Sequence, residues 1–184
     1  MTNILTTAAI VIIGISTLVI LLLIFYKKVT HGQALIRSGF GGTKVVFDRG
    51  ILTIPFVHKL DKIDLTIKKV DIHRIKSEAL ICKNNKQIEL KAAFFVRINR
   101  SVEDMIRVAQ TFGCERTFNN DEISNLFRVK FEETLKTIAY RFNKEEILEN
   151  RDVFRDEIVH HLGTDHNGYS IDDCAIYDIV ENET

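Results

Sequence analysis

Gln87-Ile88-Glu89-Leu90-Lys91-Ala92-Ala93-Phe94-Phe95-Val96-Arg97-Ile98 is the stretch on which the fold turns. Ile88, Leu90, Ala92, Phe94, Val96 and Ile98 recur at every second position and share one face of an extended strand. Glu89, Lys91 and Arg97 take the opposite face, interrupted by Ala93 and Phe95. A strand with one apolar and one mixed face needs further strands beside it and a layer of structure over its apolar side.

The strands lie upstream. Gln33–Ser38 and Lys44–Asp48 flank Gly39-Phe40-Gly41-Gly42, a turn whose glycines admit positive φ. Gly50–Ile54 follows, and Pro55 marks an edge strand or a break. Leu65–Ile72 and Ser77–Cys82 are further candidates, the second joined to Gln87–Ile98 by the hairpin signal Lys83-Asn84-Asn85-Lys86. The covering layer lies downstream. Ser101 is a good N-cap for a short helix carrying Met105, Ile106 and Ala109 and ending near Gly113. Asn120 or Asp121 caps a longer one, along which Ile123, Leu126, Phe127, Phe131, Leu135, Ile138 and Phe142 recur at helical spacing. Asn143 opens a third helical segment, with Glu145 and Glu146 in its first turn; Ile147, Leu148, Phe154, Ile158 and Leu162 form its stripe and Gly163 its stop. Asn167-Gly168 turns into a last strand, Tyr169–Val180, and Glu181-Asn182-Glu183-Thr184 forms a polar end. Strands, then helices, then a returning strand predict an α+β fold. No repeat or linker interrupts it, and a junction near Arg100 divides a strand-rich part, 27–100, from a helix-rich part, 101–184.

Composition agrees with a folded domain. The chain has 184 residues, 46% of them hydrophobic and 27% charged, with a single Pro and nine Gly, which excludes low-complexity, collagen-like and disulfide-dense classes. The formal net charge of zero argues against a dedicated nucleic-acid binder.

Two regions depart from this average. No Asp, Glu, Lys or Arg precedes Lys27. After a short N-terminal end (1–3), residues 4–26 run from Ile4 to Tyr26 without a charge. As a helix the run is roughly 35 Å long, enough to cross a hydrocarbon core of about 30 Å. Its polar members Thr6, Thr7, Ser16 and Thr17 can bond back to the helix backbone, so lipid tolerates them. No basic n-region or small-residue cleavage site marks a signal peptide. Tyr26 suits an interfacial anchor, and Lys27 and Lys28 suit the cytoplasmic end of a span, so the N-terminus is expected outside and the remainder in the cytoplasm. Cys82, Cys114 and Cys174, odd in number and far apart, fit a reducing compartment.

The second departure is charge. Residues 27–100 hold 16 Lys/Arg against 6 Asp/Glu, and residues 101–184 hold 9 against 19. The basic part adjoins the span, where an anionic leaflet attracts each well-placed basic residue by about 1 kcal/mol. Tyr26, Lys27, Lys28, Lys59, Lys62, Lys68 and Lys69 are accordingly the candidate membrane-contact residues. Opposed halves could also meet head to tail between copies and build rings or filaments. A solvated surface whose split is accidental fits equally well. The apolar residues of Leu52–Val57 read as a buried strand in preference to an interfacial loop.

Motifs for chemistry are absent. Gly39–Gly42 with Lys44 lacks the spacing and the Ser/Thr of a phosphate loop and precedes a strand. His160, His161 and His166, with Asp165, cluster only in sequence; adjacent helical histidines diverge by about 100°, and the group reads as a solvated helix end, not a metal site. Asp172-Asp173 and Glu132-Glu133 are neighbours in sequence without forming a shared acid–base site, and no serine sits in a nucleophile elbow. The aromatics near the basic half, Phe94 and Phe95, alternate like core residues, unlike a base-stacking platform. The expectation is a protein without catalytic, cofactor or metal residues, without nucleic acid and without a small-molecule substrate.

The span followed by Gln33-Ala34-Leu35-Ile36-Arg37-Ser38-Gly39-Phe40-Gly41-Gly42-Thr43-Lys44-Val45-Val46 resembles the opening of the flotillin branch of the SPFH (Band 7) family. Ile54-Pro55 with His58, Ala92-Ala93-Phe94-Phe95-Val96-Arg97, Ala109-Gln110-Thr111-Phe112-Gly113, Lys130-Phe131 leading into Leu135, and Glu145-Glu146 leading into Asn150-Arg151 with Phe154 extend the likeness in order to about residue 180. Bacterial inner-membrane flotillin-like proteins are similar throughout. The resemblance implies a transmembrane helix followed by a mixed sheet with packed helices in two subdomains. It implies a non-enzymatic scaffold that oligomerises at the membrane, organises microdomains and acts with lipids and an NfeD-type membrane partner. Other SPFH branches imply an alternative, a regulator or adaptor of another membrane protein such as a protease. Related chains continue into a long Ala/Glu-rich coiled coil and a C-terminal oligomerisation segment, which residues 1–184 do not contain.

Overall fold

A computed structural model describes residues 2–163 and 166–181; Asp165 and the end residues 182–184 lie outside them. Internal contacts divide the chain into two units, one up to Ile63 and one from Asp64 onward. The sequence reading divides the chain at Arg100 instead. The strands between 68 and 98 share a sheet with the returning strand, so strand-rich and helix-rich segments build one core.

The first unit begins with α1 (Thr2–Phe25). Thr6–Phe25 has a mean hydropathy of 3.1 and no buried residue, so it has the length and composition to cross a membrane. The hydroxyls of Thr7, Ser16 and Thr17 donate to the carbonyls of Ile4, Ile13 and Ile13 at 2.9, 2.9 and 2.8 Å, the return bonding that keeps a hydroxyl satisfied in lipid. The helix stops one residue before the apolar run does, because Tyr26 begins β1 (Tyr26–Lys28). β1 pairs antiparallel with β4 (Gly50–Leu52) in the register Tyr26 to Leu52 and Lys28 to Gly50. A second small sheet has the order β3 (Lys44–Val46), β2 (Gln33–Gly39), β5 (His58–Asp64). Ala34, Leu35, Ile36, Ile51 and Ile63 are the buried apolar residues of this unit.

The second unit is built on β8 (Gln87–Ile98). β6 (Lys68–Arg74) and the short β7 (Leu80–Ile81) pair along one edge, and β9 (Tyr169–Glu181) pairs along the other with two register shifts. The alternation read in β8 is real: Ile88, Leu90, Ala92, Phe94, Val96 and Ile98 are all buried. Four helices supply the second layer: α2 (Val102–Thr111), α3 (Asn120–Ala139), α4 (Lys144–Glu149) and α5 (Arg151–Leu162). Phe131 of α3 stacks on Phe94 at 4.2 Å and on Phe127 at 5.5 Å, tying the central strand to the longest helix of this unit. Ser101 Oγ accepts the Asp104 N–H at 3.0 Å, and Asn143 and Glu146 close a full capping box.

Three details differ from the sequence reading. The candidate strand Leu65–Ile72 is interrupted at its start, because the Asp64 carboxylate accepts the Thr66 N–H at 2.9 Å and turns the chain between β5 and β6. The segment after Asn143 is two helices, broken where Asn150 leaves helical geometry at ψ 59. The longest helix of the second unit is capped by Asn119, not Asn120 or Asp121, its side chain accepting the Asp121 N–H at 3.0 Å.

Candidate membrane-contact surface

The chemistry of this surface starts where α1 ends. The Thr53 N–H donates to the Phe25 carbonyl at 2.9 Å, fastening the chain just after β4 to the last residue of the helix. An Arg37 guanidinium N–H donates to the Leu52 carbonyl at 2.9 Å. The Tyr26 ring lies over Gly50, where a Cβ would push the ring aside, so the glycine lets the ring lie flat over the β1–β4 pair. Tyr26, Lys27 and Lys28 are exposed together at the foot of the helix.

Beyond β4, Pro55 ends extended pairing, and the Val57 and His58 N–H groups both turn back to the Ile54 carbonyl. The turn holds Phe56 at φ 69, a costly conformation for a bulky side chain. His58 then binds this turn to the glycine turn between β2 and β3. Its Nδ1 accepts the Ile54 N–H at 3.1 Å, so Nε2 carries the proton and donates to the Phe40 carbonyl at 3.0 Å. Gly39, at φ +128, approaches the Val57 carbonyl so closely that a Cβ would strike the oxygen.

The result is two cross-braced turns with their apolar side chains outward. Phe56 is fully exposed, Phe40 is 83% exposed, and Leu52, Ile54 and Val57 are each more than 40% exposed. The sequence reading placed Leu52–Val57 as a buried strand; the structure corrects this, because Pro55 stops β4 before its apolar residues can turn inward. Phe40 and Phe56 were not singled out, although a Phe inside a glycine turn and a Phe after Pro are positions where a side chain has no core to reach.

The lysines divide into two groups. Lys27, Lys28 and Lys62 are exposed and meet no carboxylate within ion-pair distance among the described residues. Lys59 pairs with Asp61 at 3.1 Å. Lys68 and Lys69 belong to the second unit, where Lys68 pairs with Asp64 at 2.5 Å in a part-buried site and Lys69 pairs with Asp71 at 2.9 Å while lying 5.1 Å from the Tyr177 ring centre. Their charges are largely compensated within the fold. The units themselves differ in charge. Residues 1–63 hold 7 Lys/Arg against 2 Asp/Glu, and residues 64–184 hold 18 against 23.

Elsewhere the polar groups are structural. Burial pushes the Cys82 thiol up to about 11 and the Cys174 thiol up to about 12, so both stay protonated at neutral pH. His160 and His161 lie in the last turn of α5, as the sequence implies. His166 does not belong to a solvated helix end: it is buried, in the turn before β9, with Nδ1 2.6 Å from Lys130 Nζ. Among the described residues no three His, Cys, Asp or Glu side chains converge on a metal-sized space.

A long apolar helix with no buried residue from Thr6 to Phe25, a small sheet braced against its end and a separate α+β unit define a membrane-associated module. Residues 27–184 match the SPFH domain / Band 7 family, and the chain belongs to that family. It is similar to the flotillin family inner membrane protein YqiK of Escherichia coli (strain K12), at 32% identity over 146 residues. That alignment covers 78% of this chain and 26% of the relative, so the chain spans about a quarter of the length of the relative it matches. It is a membrane-associated, flotillin-like protein.

Proposed function

We propose that this chain is the membrane-seated module of a flotillin-like scaffold, which self-associates at the cytoplasmic face of a bacterial inner membrane and organises microdomains there. The observation that carries the reading is the pair of braced turns at the foot of α1. Apolar side chains clustered in water cost free energy, at about 25 cal/mol per Å² of apolar surface left wet, and a protein rarely holds such a cluster without a surface to bury it in. Here that surface is the leaflet that α1 enters. Phe40, Ile54, Phe56 and Val57 enter the acyl boundary, Tyr26 sits at the headgroups, and Lys27, Lys28 and Lys62 face anionic lipid. Lysines on that side favour an orientation with the N-terminus of the span outside. Insertion beside a span perturbs and selects the surrounding lipid, which is the physical basis for organising a microdomain. Self-association and an NfeD-type membrane partner come from the family likeness, and the opposed charges of the two units support contact between copies.

The chain contains no tryptophan, so Phe56→Trp in the full chain gives a single reporter. Reconstituted in vesicles, it is expected to emit at short wavelength and to be quenched by lipids brominated near the acyl boundary, whereas Tyr140→Trp in the second unit is not. Water-like emission from Phe56→Trp would overturn the insertion. Native particle mass of the full chain tests self-association, and a monomer would confine the chain to the membrane-facing role.

A further inference from the structure

A cleft in the second unit has a composition that the scaffold reading does not use. It lies where the end of α2, the middle of α3 and the turn before β9 meet, with a volume of about 400 Å³. Phe112, Leu126 and Phe127 supply apolar walls. The Tyr169 ring meets Phe112 and Phe127 edge-on, at 6.2 and 5.3 Å between centres, so the wall is preassembled from packed aromatics. Such a volume falls within the roughly 300–1,000 Å³ of small-molecule sites, whose usual make-up is apolar walls with a few fixed polar groups.

The polar groups here are unusual. Lys130 closes one side, and its ammonium donates to His166 Nδ1 at 2.6 Å. An imidazole that accepts at Nδ1 is neutral, so this partner leaves the lysine charge uncompensated. Among the described residues Lys130 pairs with no carboxylate, as is also true of Lys27, Lys28 and Lys62; what sets it apart is its position beside the cleft, with an imidazole as its partner. Lys130 also borders a smaller cleft containing Glu133 and His161, but no ion pair joins it to Glu133. The Tyr169 hydroxyl, part of the same wall, is buried without a hydrogen-bond partner. An ammonium with no carboxylate partner among the described residues, beside an apolar, aromatic-walled space, is the complement of an organic anion.

We propose that this cleft binds a small organic carboxylate, its head on the Lys130 ammonium and its apolar body between Phe112, Leu126 and Phe127. A carboxylate pairs with the ammonium charge, and that charge-assisted hydrogen bond is stronger than the one to imidazole. The volume suits one aromatic ring or a short chain; a two-chain lipid does not fit. The inference is independent of membrane insertion, since every residue in it lies in the unit from Asp64 onward.

The test uses the full chain in lipid nanodiscs, with empty nanodiscs as the blank, and follows 4-fluorobenzoate and its neutral isostere 4-fluorobenzamide by fluorine NMR. Saturable binding of the benzoate, weaker binding of the benzamide, and about a tenfold loss for the benzoate alone in Lys130→Gln are expected. Lys130 is solvent-exposed, so the variant retains the fold, and amide exchange of β8 verifies that. Leu126→Trp, which fills the cleft from an exposed position, should block both probes. No signal above the blank would overturn the proposal. So would equal affinity for the two probes with no response to Lys130→Gln, which would leave only an apolar cleft.

Discussion

The two units treat their apolar residues in opposite ways. In the second, Phe94, Phe131 and Phe154 are completely buried, and the apolar face of β8 disappears beneath α3. In the first, Phe40 and Phe56 stand outward on two short turns, and α1 buries no residue from Thr6 to Phe25. Both units have polar residues available for a surface, so the difference does not come from a shortage of them. The second unit is folded to satisfy itself in water. The first is folded to present apolar groups, and spends backbone strain at Phe56 and close approach at Gly39 to hold them out. Braced exposure of this kind needs a second apolar phase to be stable.

The largest expected effect separates these two uses of phenylalanine. Phe131→Ala removes a ring that touches both Phe94 and Phe127 in a fully buried site, and should cost about 3–5 kcal/mol. Phe56→Ala should stay within about 0.5 kcal/mol in folding stability while losing membrane depth. Amide exchange of the full chain in nanodiscs reads both: protection of β8 collapses in the first variant and is unchanged in the second. Equal effects on β8 would erase the distinction between the units.

Gly39→Ala is the intermediate case. It places a Cβ against the Val57 carbonyl at φ +128, so the two turns must separate, at a cost of about 1–3 kcal/mol confined to the first unit. Faster amide exchange at Ile54 and His58, together with red-shifted emission in a Phe56→Trp background, is the expected pattern. Unchanged emission would mean that the bracing does not set the insertion.

How legible the fold was follows the same division. The β8 alternation, the N-caps at Ser101 and Asn143 and the Gly163 stop were all readable, because burial on one side of a strand or helix writes a period into the sequence and capping is a local, pairwise matter. β1 and β5 were not seen. β1 is three residues long, and β5 reads His58-Lys-Leu-Asp-Lys-Ile-Asp64, too polar to alternate clearly. The exposed turn was misjudged because apolar runs are assigned to cores by default, and nothing local in Ile54–Val57 states which apolar phase will receive it. The lysine set was readable only as charge. Which lysines remain uncompensated depended on Asp61, Asp64 and Asp71, whose register with them comes from the turns between strands. Lys130 and His166, 36 residues apart, meet only through the packing of α3 beside the turn before β9.

The smallest expected effect lies at the start of the second unit. Burial by itself would raise the Asp64 carboxyl, but the Lys68 ammonium and the Thr66 N–H that bind it prevail and hold its pKa below the ordinary carboxylate range. A depressed folded pKa contributes stability that is fully present above the unfolded value of about 3.9 and is lost as pH falls through the folded value. The unit from Asp64 onward should therefore lose stability below about pH 4, and Asp64→Asn should flatten part of that slope by lowering the neutral-pH protection of β8 by the same small amount. Acid titration of β8 exchange in the two proteins measures the difference. A slope identical in Asp64→Asn would assign the acid sensitivity to other carboxylates, such as Glu145, whose pKa the hydrogen bond from Lys86 lowers, and would leave the turn before β6 held by its Asp64 N–H to Thr117 hydroxyl bond of 3.0 Å.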